Sequence, residues 1–489
     1  MAASARAKPA DALKRNRVLV TVLVALSDVL GIACLLALDG NPLIRFAAAV
    51  VLLMASGTMI AAANGIGSSY GAFMLGSRRG IAFVEFLSKR RRFWNGLCNW
   101  GLVLGFGLLS FFMFRKYMSR KAFLFGVASL VAVLLFVFPY LSLIMSFINI
   151  PQVTSKVAMA SASASTATAV SPVYYLLIAL AVIGGFCLYT ALLILYAGGS
   201  IVYGILTFVA GFLSSSAPDY GILNGQIPGV APVIPGITIP LFAGIAALLL
   251  LLVVHEFAHG ALARMAKVKI RSIGVILFGI IPLGAFVEPD ESQIKKLRPA
   301  EQDRISIAGI SANFLTAIFF FAITMLLATF VLPSVGTGGV VVTAVAQNAP
   351  ASNVIAPNSI LVMWNIQTIR NQYDLSRAEA AYVQGNYVRV STDNGTYVLT
   401  PTAQGRLGIA VAPAASTLQS KIADFLYAVA ALSFGLNFFV AIFNLLPIPG
   451  FDGWRIFQSK IKSKTVLKAI AALIVAAILA NALPWFWTL

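Results

Sequence analysis

Histidine is nearly absent from this chain. Its 489 residues hold two, His255 and His259, four positions apart. Charge is scarce as well: Asp, Glu, Lys and Arg make up 10% of the residues against 60% hydrophobic ones, where an ordinary soluble domain carries about 25% charged residues. That balance excludes a water-soluble globular protein. The three cysteines, Cys34, Cys98 and Cys187, lie in apolar stretches without CxxC spacing. This excludes a disulfide framework and a thiolate metal site, and leaves them as small buried hydrophobes. No internal repeat of the kind that builds many transporters is visible.

What the chain has in abundance is long apolar runs. Residues 18–38, 42–63, 93–114, 122–149, 172–197, 199–214, 240–263, 304–332, 418–446 and 466–487 are the candidate spans, most of them reaching the roughly 18–20 residues that cross a bilayer. The expected fold class is therefore a polytopic α-helical membrane protein. The polar, basic stretch MAASARAKPADALKRNR precedes the first run, which is too long for a signal-peptide core and reads as a retained anchor. The net charge of +19 is spread in clusters at the ends of apolar runs, such as Lys14–Arg17, Lys89–Arg92 and Arg115–Lys121. That is the pattern of cytoplasmic anchoring rather than of a nucleic-acid partner, which is excluded. Basic residues after the 240–263 run (Lys267 to Arg298) and in the last loop (Arg455 to Lys468) place both loops in the cytoplasm. For the 240–263 run to start on the right side, either the 93–114 segment is re-entrant, which keeps every basic cluster on that side, or the 199–214 segment lies at the interface.

Three stretches break the apolar pattern. Residues 150–171 contain SASASTAT, a low-complexity polar loop, and residues 215–239 are too rich in Pro and Gly for a regular helix. Residues 335–415 alternate polar residues with strand-like runs, GVVVTAVA, NSILVMW, YVRVSTDNGTYVLT and LGIAVAP. Asp393-Asn394-Gly395 between two such runs is a hairpin signal. An inserted small β-rich soluble domain is expected here, outside the cell by the charge argument. Asn394 also begins an N-glycosylation sequon, although a plain turn is the simpler reading.

The histidines occur in VVHEFAHG, at the end of an apolar run. On a helix, residues four apart share a face, so His255 and His259 can hold one Zn2+ together, with Glu256 beside them as general base toward water. A catalytic zinc takes three protein ligands. With no third histidine, the third must be Asp, Glu or Cys, and Asp452 in FNLLPIPGFDGWRIF is the best candidate. Pro447 and Pro449 break the preceding helix, and Gly450 and Gly453 permit tight turns around the carboxylate. In RISIAGISANFL, Gly309 permits close helix approach, and Asn313 can donate to an oxyanion or a substrate carbonyl. The stretch GVILFGIIPLGAFVEPDE, residues 274–291, is too short and glycine-punctuated to span. It is expected to form a hairpin dipping into the membrane, whose edge strand, including Gly284, offers backbone groups to an extended peptide.

HEFAHG, GISAN and NLLPIPGFDG together resemble the site-2 protease family of intramembrane zinc metalloproteases. Asn444, Pro447, Asp452 and Gly453 match its NxxPxxxxDG pattern, IPLGAFVEPDE its membrane-dipping β-loop, and residues 339–369 a PDZ domain. The chain departs from the pattern at Ile310, where many relatives carry proline. The resemblance covers roughly residues 215–489. It implies one zinc per chain held by His255, His259 and Asp452, Glu256 as catalytic base, Asn313 holding substrate or oxyanion, and Asn444 supporting the aspartate loop or substrate. It divides the chain into an unrecognised N-terminal membrane region (1–214), a first half of the protease core (215–334), a PDZ-like extracytoplasmic domain (335–415) and a second half of the core (416–489). It implies a multi-pass protein of the cell membrane with its active site toward the cytoplasm. Its substrates would be transmembrane proteins in the lipid bilayer, and a peptide or C-terminus would be a ligand of the PDZ-like domain. A transporter with a metal site, or an inactive scaffold, is the alternative.

Overall fold

The computed structural model describes residues 9–37, 42–77, 79–138, 140–141, 172–213, 233–236, 238–332, 335, 339–347, 349–370, 372–383, 385–402, 405–414 and 418–484. The polar loop expected at 150–171, the end of the 122–149 run and most of the 215–239 stretch lie outside them.

The described chain begins with α1 (Pro9–Ala37) and α2 (Pro42–Asn64), then β1 (Ser68–Ser69) and β2 (Ala72–Ser77). Four helices follow, α3 (Arg79–Ser88), α4 (Arg91–Phe106), α5 (Leu109–Phe114) and α6 (Arg120–Phe136), and then the long α7 (Pro172–Leu213). Next come α8 (Leu241–Met265), β3 (Ile270–Phe278), β4 (Ile281–Pro289), the single turn α9 (Glu291–Ile294) and α10 (Pro299–Leu326). The β-rich unit holds β5 (Val340–Val345), β6 (Ile360–Trp364), β7 (Gln367–Thr368), α11 (Gln372–Ala380), β8 (Val388–Thr392), β9 (Gly395–Leu399) and β10 (Ile409–Pro413). The chain returns through α12 (Leu418–Asn444), α13 (Asp452–Lys460) and α14 (Lys464–Ala482). Among the described residues, seven helices are long and apolar enough to cross a membrane. The protein is a multi-pass, helical membrane protein with a β-rich insertion.

Three candidate runs are divided differently from the sequence reading. The 93–114 run is broken into α4 and α5 at Gly107, which has φ +55. The 172–197 and 199–214 runs form one helix whose break falls at Gly185, with φ +65 and ψ −169, rather than near residue 198. The two breaks lie against each other: the Leu108 amide donates to the Val182 carbonyl at 3.0 Å. A side chain at Gly107 or at Gly185 would run into the other helix's backbone.

The hairpin expected at 274–291 is present and starts earlier, at Ile270, turning at Gly279 with φ +58. It is not alone. Strand β2, from the N-terminal region, pairs antiparallel with β3, giving a four-stranded order β1-β2-β3-β4. β4 is therefore an edge strand, and it lies against α8. The helices α10 and α12 pack antiparallel, with Phe314 against Phe438 at 5.7 Å and Phe321 against Phe434 at 5.2 Å between ring centroids. Phe186 of α7 closes the same aromatic group, 5.1 Å from Phe438.

The β-rich unit has its own core, built on Val340, Val342, Leu361, Trp364, Val388 and Val390. Its sheet runs β10-β5-β6-β8-β9, with β7 on β6. The expected hairpin at Asp393-Asn394 joins β8 to β9. The Asp393 carboxylate accepts the Ile360 amide at 2.7 Å, and the Asn394 amide donates to Ser359 at 3.1 Å, so the turn is tied to β6. Asp393→Ala should destabilise this unit by about 1–3 kcal/mol, as expected for losing a hydrogen bond to a charged group. Hydrogen exchange checks this, with faster exchange of the Ile360 amide as the signature.

Candidate metal and catalytic site

Helix α8 carries both histidines where an apolar helix nears its end, and their shared face meets α10 and the start of α13. His255 Nε2 and His259 Nε2 stand 3.2 Å apart. Asp452 Oδ2 lies 3.2 Å from the first and 3.1 Å from the second. Three lone-pair donors thus form a nearly equilateral triangle. Zinc bonds of about 2.0–2.2 Å in a tetrahedron require ligand–ligand edges of about 3.3 Å, so the triangle has the size of one tetrahedral face. His255, His259 and Asp452 fit a zinc ion by donor type and spacing.

The groups behind the imidazoles agree with that use. His259 Nδ1 lies 2.7 Å from the Ile305 carbonyl. A carbonyl only accepts, so Nδ1 carries the proton and Nε2 keeps its lone pair for the triangle. His255 Nδ1 lies 3.1 Å from the Asn313 carboxamide nitrogen, while the Asn313 oxygen is buried without a partner among the described residues. Which end of a carboxamide is oxygen is settled by hydrogen-bond chemistry. A lone pair on His255 Nε2 requires the proton on Nδ1, and hence an acceptor opposite it. Turning the Asn313 amide end for end supplies that acceptor and removes the orphaned oxygen. The Asn313 NH2 then takes the position where that oxygen has no partner among the described residues.

Gly309 sits between the two imidazoles. A Cβ there would meet His255 Cε1 at 2.6 Å and Nδ1 at 2.7 Å, with His259 Nε2 closer still. No side chain fits, so α10 approaches α8 through a gap that only glycine leaves.

Asp452 reaches the site because α12 ends at Asn444 and the chain turns through Leu445–Phe451, with Gly450 at φ +97. Gly453, expected to turn, instead gives way to the Leu445 carbonyl, against which a side chain would clash. Burial alone would raise the Asp452 carboxyl. Protonated His259 and His255 rings outweigh burial and hold it below the usual range.

Glu256 lies next to the first histidine and outside the triangle. Its Oε2 accepts the Val287 amide of β4 at 3.3 Å, a contact no sequence pattern announces because the donor is a backbone group. It also sets the polarity of the strand. With the Val287 amide turned to Glu256, backbone groups at Ala285 share that open edge. By that alternation the backbone groups of Gly284 and Phe286 turn toward β3. What Gly284 offers is room, since a Cβ would meet Leu252 at an ordinary 3.6 Å. Asn444 ends α12, half-buried, and has no hydrogen bond to the triangle among the described residues. Another amide, Asn437, is fully buried two turns earlier on the same face of α12, its oxygen without a partner among the described residues.

Residues 243–483 match the model of peptidase family M50. An uncharacterized protein of Methanocaldococcus jannaschii is 33% identical over 257 residues, in an alignment covering 50% of this chain and 66% of that protein. The matched span opens at the start of α8 and closes at the end of α14, so it contains every member of the donor triangle. The chain belongs to peptidase family M50, the site-2 protease family.

Proposed function

We propose that this protein is a zinc-dependent intramembrane protease, hydrolysing peptide bonds within or beside the transmembrane segments of other membrane proteins. The observation that carries the reading is the donor triangle of His255, His259 and Asp452 at tetrahedral spacing, with Glu256 next to it and an open strand edge alongside.

A spanning helix hides its backbone in its own hydrogen bonds, so hydrolysis needs an unwound, extended peptide. The β4 edge at Ala285 can take such a peptide as an added strand. The Glu256 carboxylate, held by the Val287 amide, sits where it can accept a proton from water and return it to the leaving amine. Zinc, when bound, supplies a Lewis acid for the scissile carbonyl and lowers the pKa of water. The Asn313 NH2 donates to the oxygen on which charge develops. Asn444 supports the loop that delivers Asp452. Gly284 leaves space for a substrate side chain, and Gly284→Ala should therefore be nearly neutral for stability and discriminate against bulky side chains at the adjoining substrate position. Cleavage of a substrate series with Gly, Val or Phe there measures this.

Transmembrane proteins in the bilayer are the substrates of this reading, with regulated intramembrane proteolysis as its setting. The basic loops favour a site toward the cytoplasm. The β-rich unit would then lie outside, where a PDZ-like domain can bind a peptide or C-terminus or exclude bulky ectodomains.

The test is cleavage of single-span substrates by purified protein in detergent, with products mapped by mass spectrometry, with and without chelator. Cleavage within the span, lost with chelator and in Asp452→Ala, supports the reading. Cleavage that survives both would sink it.

A further inference from the structure

We propose that Asp303 is a positioning residue for Asp452, and that the N-terminal region takes part in the metal site through it. This rests on the zinc reading above.

Asp303 is 1% exposed, on the first turns of α10. Three donors converge on its carboxylate. Lys460 Nζ stands 2.6 Å from Oδ2, Ser459 Oγ donates to Oδ1 at 2.9 Å, and the Tyr117 hydroxyl donates to Oδ2. The Lys460 ammonium also lies 4.7 Å from the centroid of the Phe114 ring. Ser459 and Lys460 are the last two residues of α13, and Asp452 is the first. Asp303 therefore grips one end of a short rigid helix, about 12 Å from the ligand at the other end.

The same α10 carries the Ile305 carbonyl behind His259, Gly309 between the imidazoles and Asn313 behind His255. One helix thus sets both histidine rings and, through Asp303, the helix that begins with the third ligand. The other polar tie of α13, Arg455 to Glu291 at 2.8 Å, is about half exposed at both ends, and such pairs hold geometry poorly. A buried ion pair adds little net stability over apolar packing, so the gain here is definition of position. Tyr117 and Phe114 precede residue 243, outside the matched region. The Cys187 thiol donating to the Leu445 carbonyl at 3.3 Å, and Phe106 against Phe457 at 5.7 Å, come from the same N-terminal region and brace the same segment.

The test is zinc affinity of the full-length protein in detergent, by competition with a chromophoric chelator. Asp303→Asn/Lys460→Met removes both charges and leaves no orphaned ion, so it should fold. Its zinc affinity should fall about 10–100-fold, the range for groups that orient metal ligands, with kcat lowered and KM unchanged. Tyr117→Phe removes only the hydroxyl donor and should weaken zinc several-fold. It decides the matter should the double variant fail to fold. A monodisperse double variant, or a folded Tyr117→Phe, with wild-type zinc affinity would reduce the cluster to a structural contact and overturn the proposal. Wild-type protein that takes up no zinc would instead overturn the metalloprotease reading, and this inference with it.

Discussion

Gly309→Ala is expected to cost zinc affinity on the order of a hundredfold or more, in a protein that still inserts and folds. The single added carbon would sit 2.6–2.7 Å from His255 ring atoms, where carbon contacts are comfortable near 3.5–4.0 Å. The backbone there is helical, so the clash concerns space and not conformation. Relief requires α10 and α8 to separate by roughly 1 Å, or both imidazoles to rotate. Either movement breaks the triangle, because Ile305 and Asn313 hold the two rings from the same α10. A misplacement of about 1 Å is worth about a hundredfold in rate where geometry is catalytic. Zinc content by mass spectrometry, together with cleavage of a single-span substrate, measures both effects. Full zinc content at wild-type affinity would show that the helices yield without disturbing the ligands. Gly284→Ala, where an added Cβ meets only ordinary van der Waals contacts, is the control for zinc content.

Glu256→Gln separates binding from chemistry. Glutamine has the same size, and its oxygen can still accept the Val287 amide, so β4 keeps its place. Glu256 is not a corner of the triangle, and zinc should stay bound at one per chain. What disappears is the basic oxygen that takes a proton from water. Turnover should fall by about 10²–10⁴-fold, the usual worth of a general base, with KM little changed. A transporter or a scaffold that used the metal only for structure would keep its function in this variant. Cleavage at the wild-type rate would remove Glu256 from the mechanism.

The parts of the site legible in the sequence are those whose chemistry is local. HEFAHG states its geometry by spacing alone, because four residues make about one helical turn. NLLPIPGFDG marks itself by prolines that end a helix just before a carboxylate. The strands of the β-rich unit and the turn at Asp393-Asn394 follow from alternation and turn chemistry, which are also short-range. Asp303 and Tyr117 gave no such signal. They lie 186 residues apart in sequence and belong to no motif, and the worth of a buried carboxylate is visible only once its donors surround it. Strand β2 escaped notice for a related reason. GAFMLGS is too brief to show a period, and its partner lies some 200 residues downstream.

Two glycine pairs show where the sequence's authority ends. Gly184-Gly185 and Gly198-Gly199 are equivalent by composition in one apolar run, and local propensity permits a break at either. The chain breaks at Gly185, where the broken end of α4 presses backbone against backbone, and runs through Gly198, whose missing side chain lets α14 approach at Ala477. The sequence by itself determined a membrane-embedded HExxH helix, an aspartate loop and a β-rich insertion, because periodicity, spacing and turn chemistry act over a few residues. Only the tertiary structure decided which glycine bends, which amide meets Glu256 and which carboxylate holds the Asp452 helix. Those choices are made by close packing between segments far apart in the chain, where a methyl group or a single hydrogen bond selects among arrangements that local preferences leave equal.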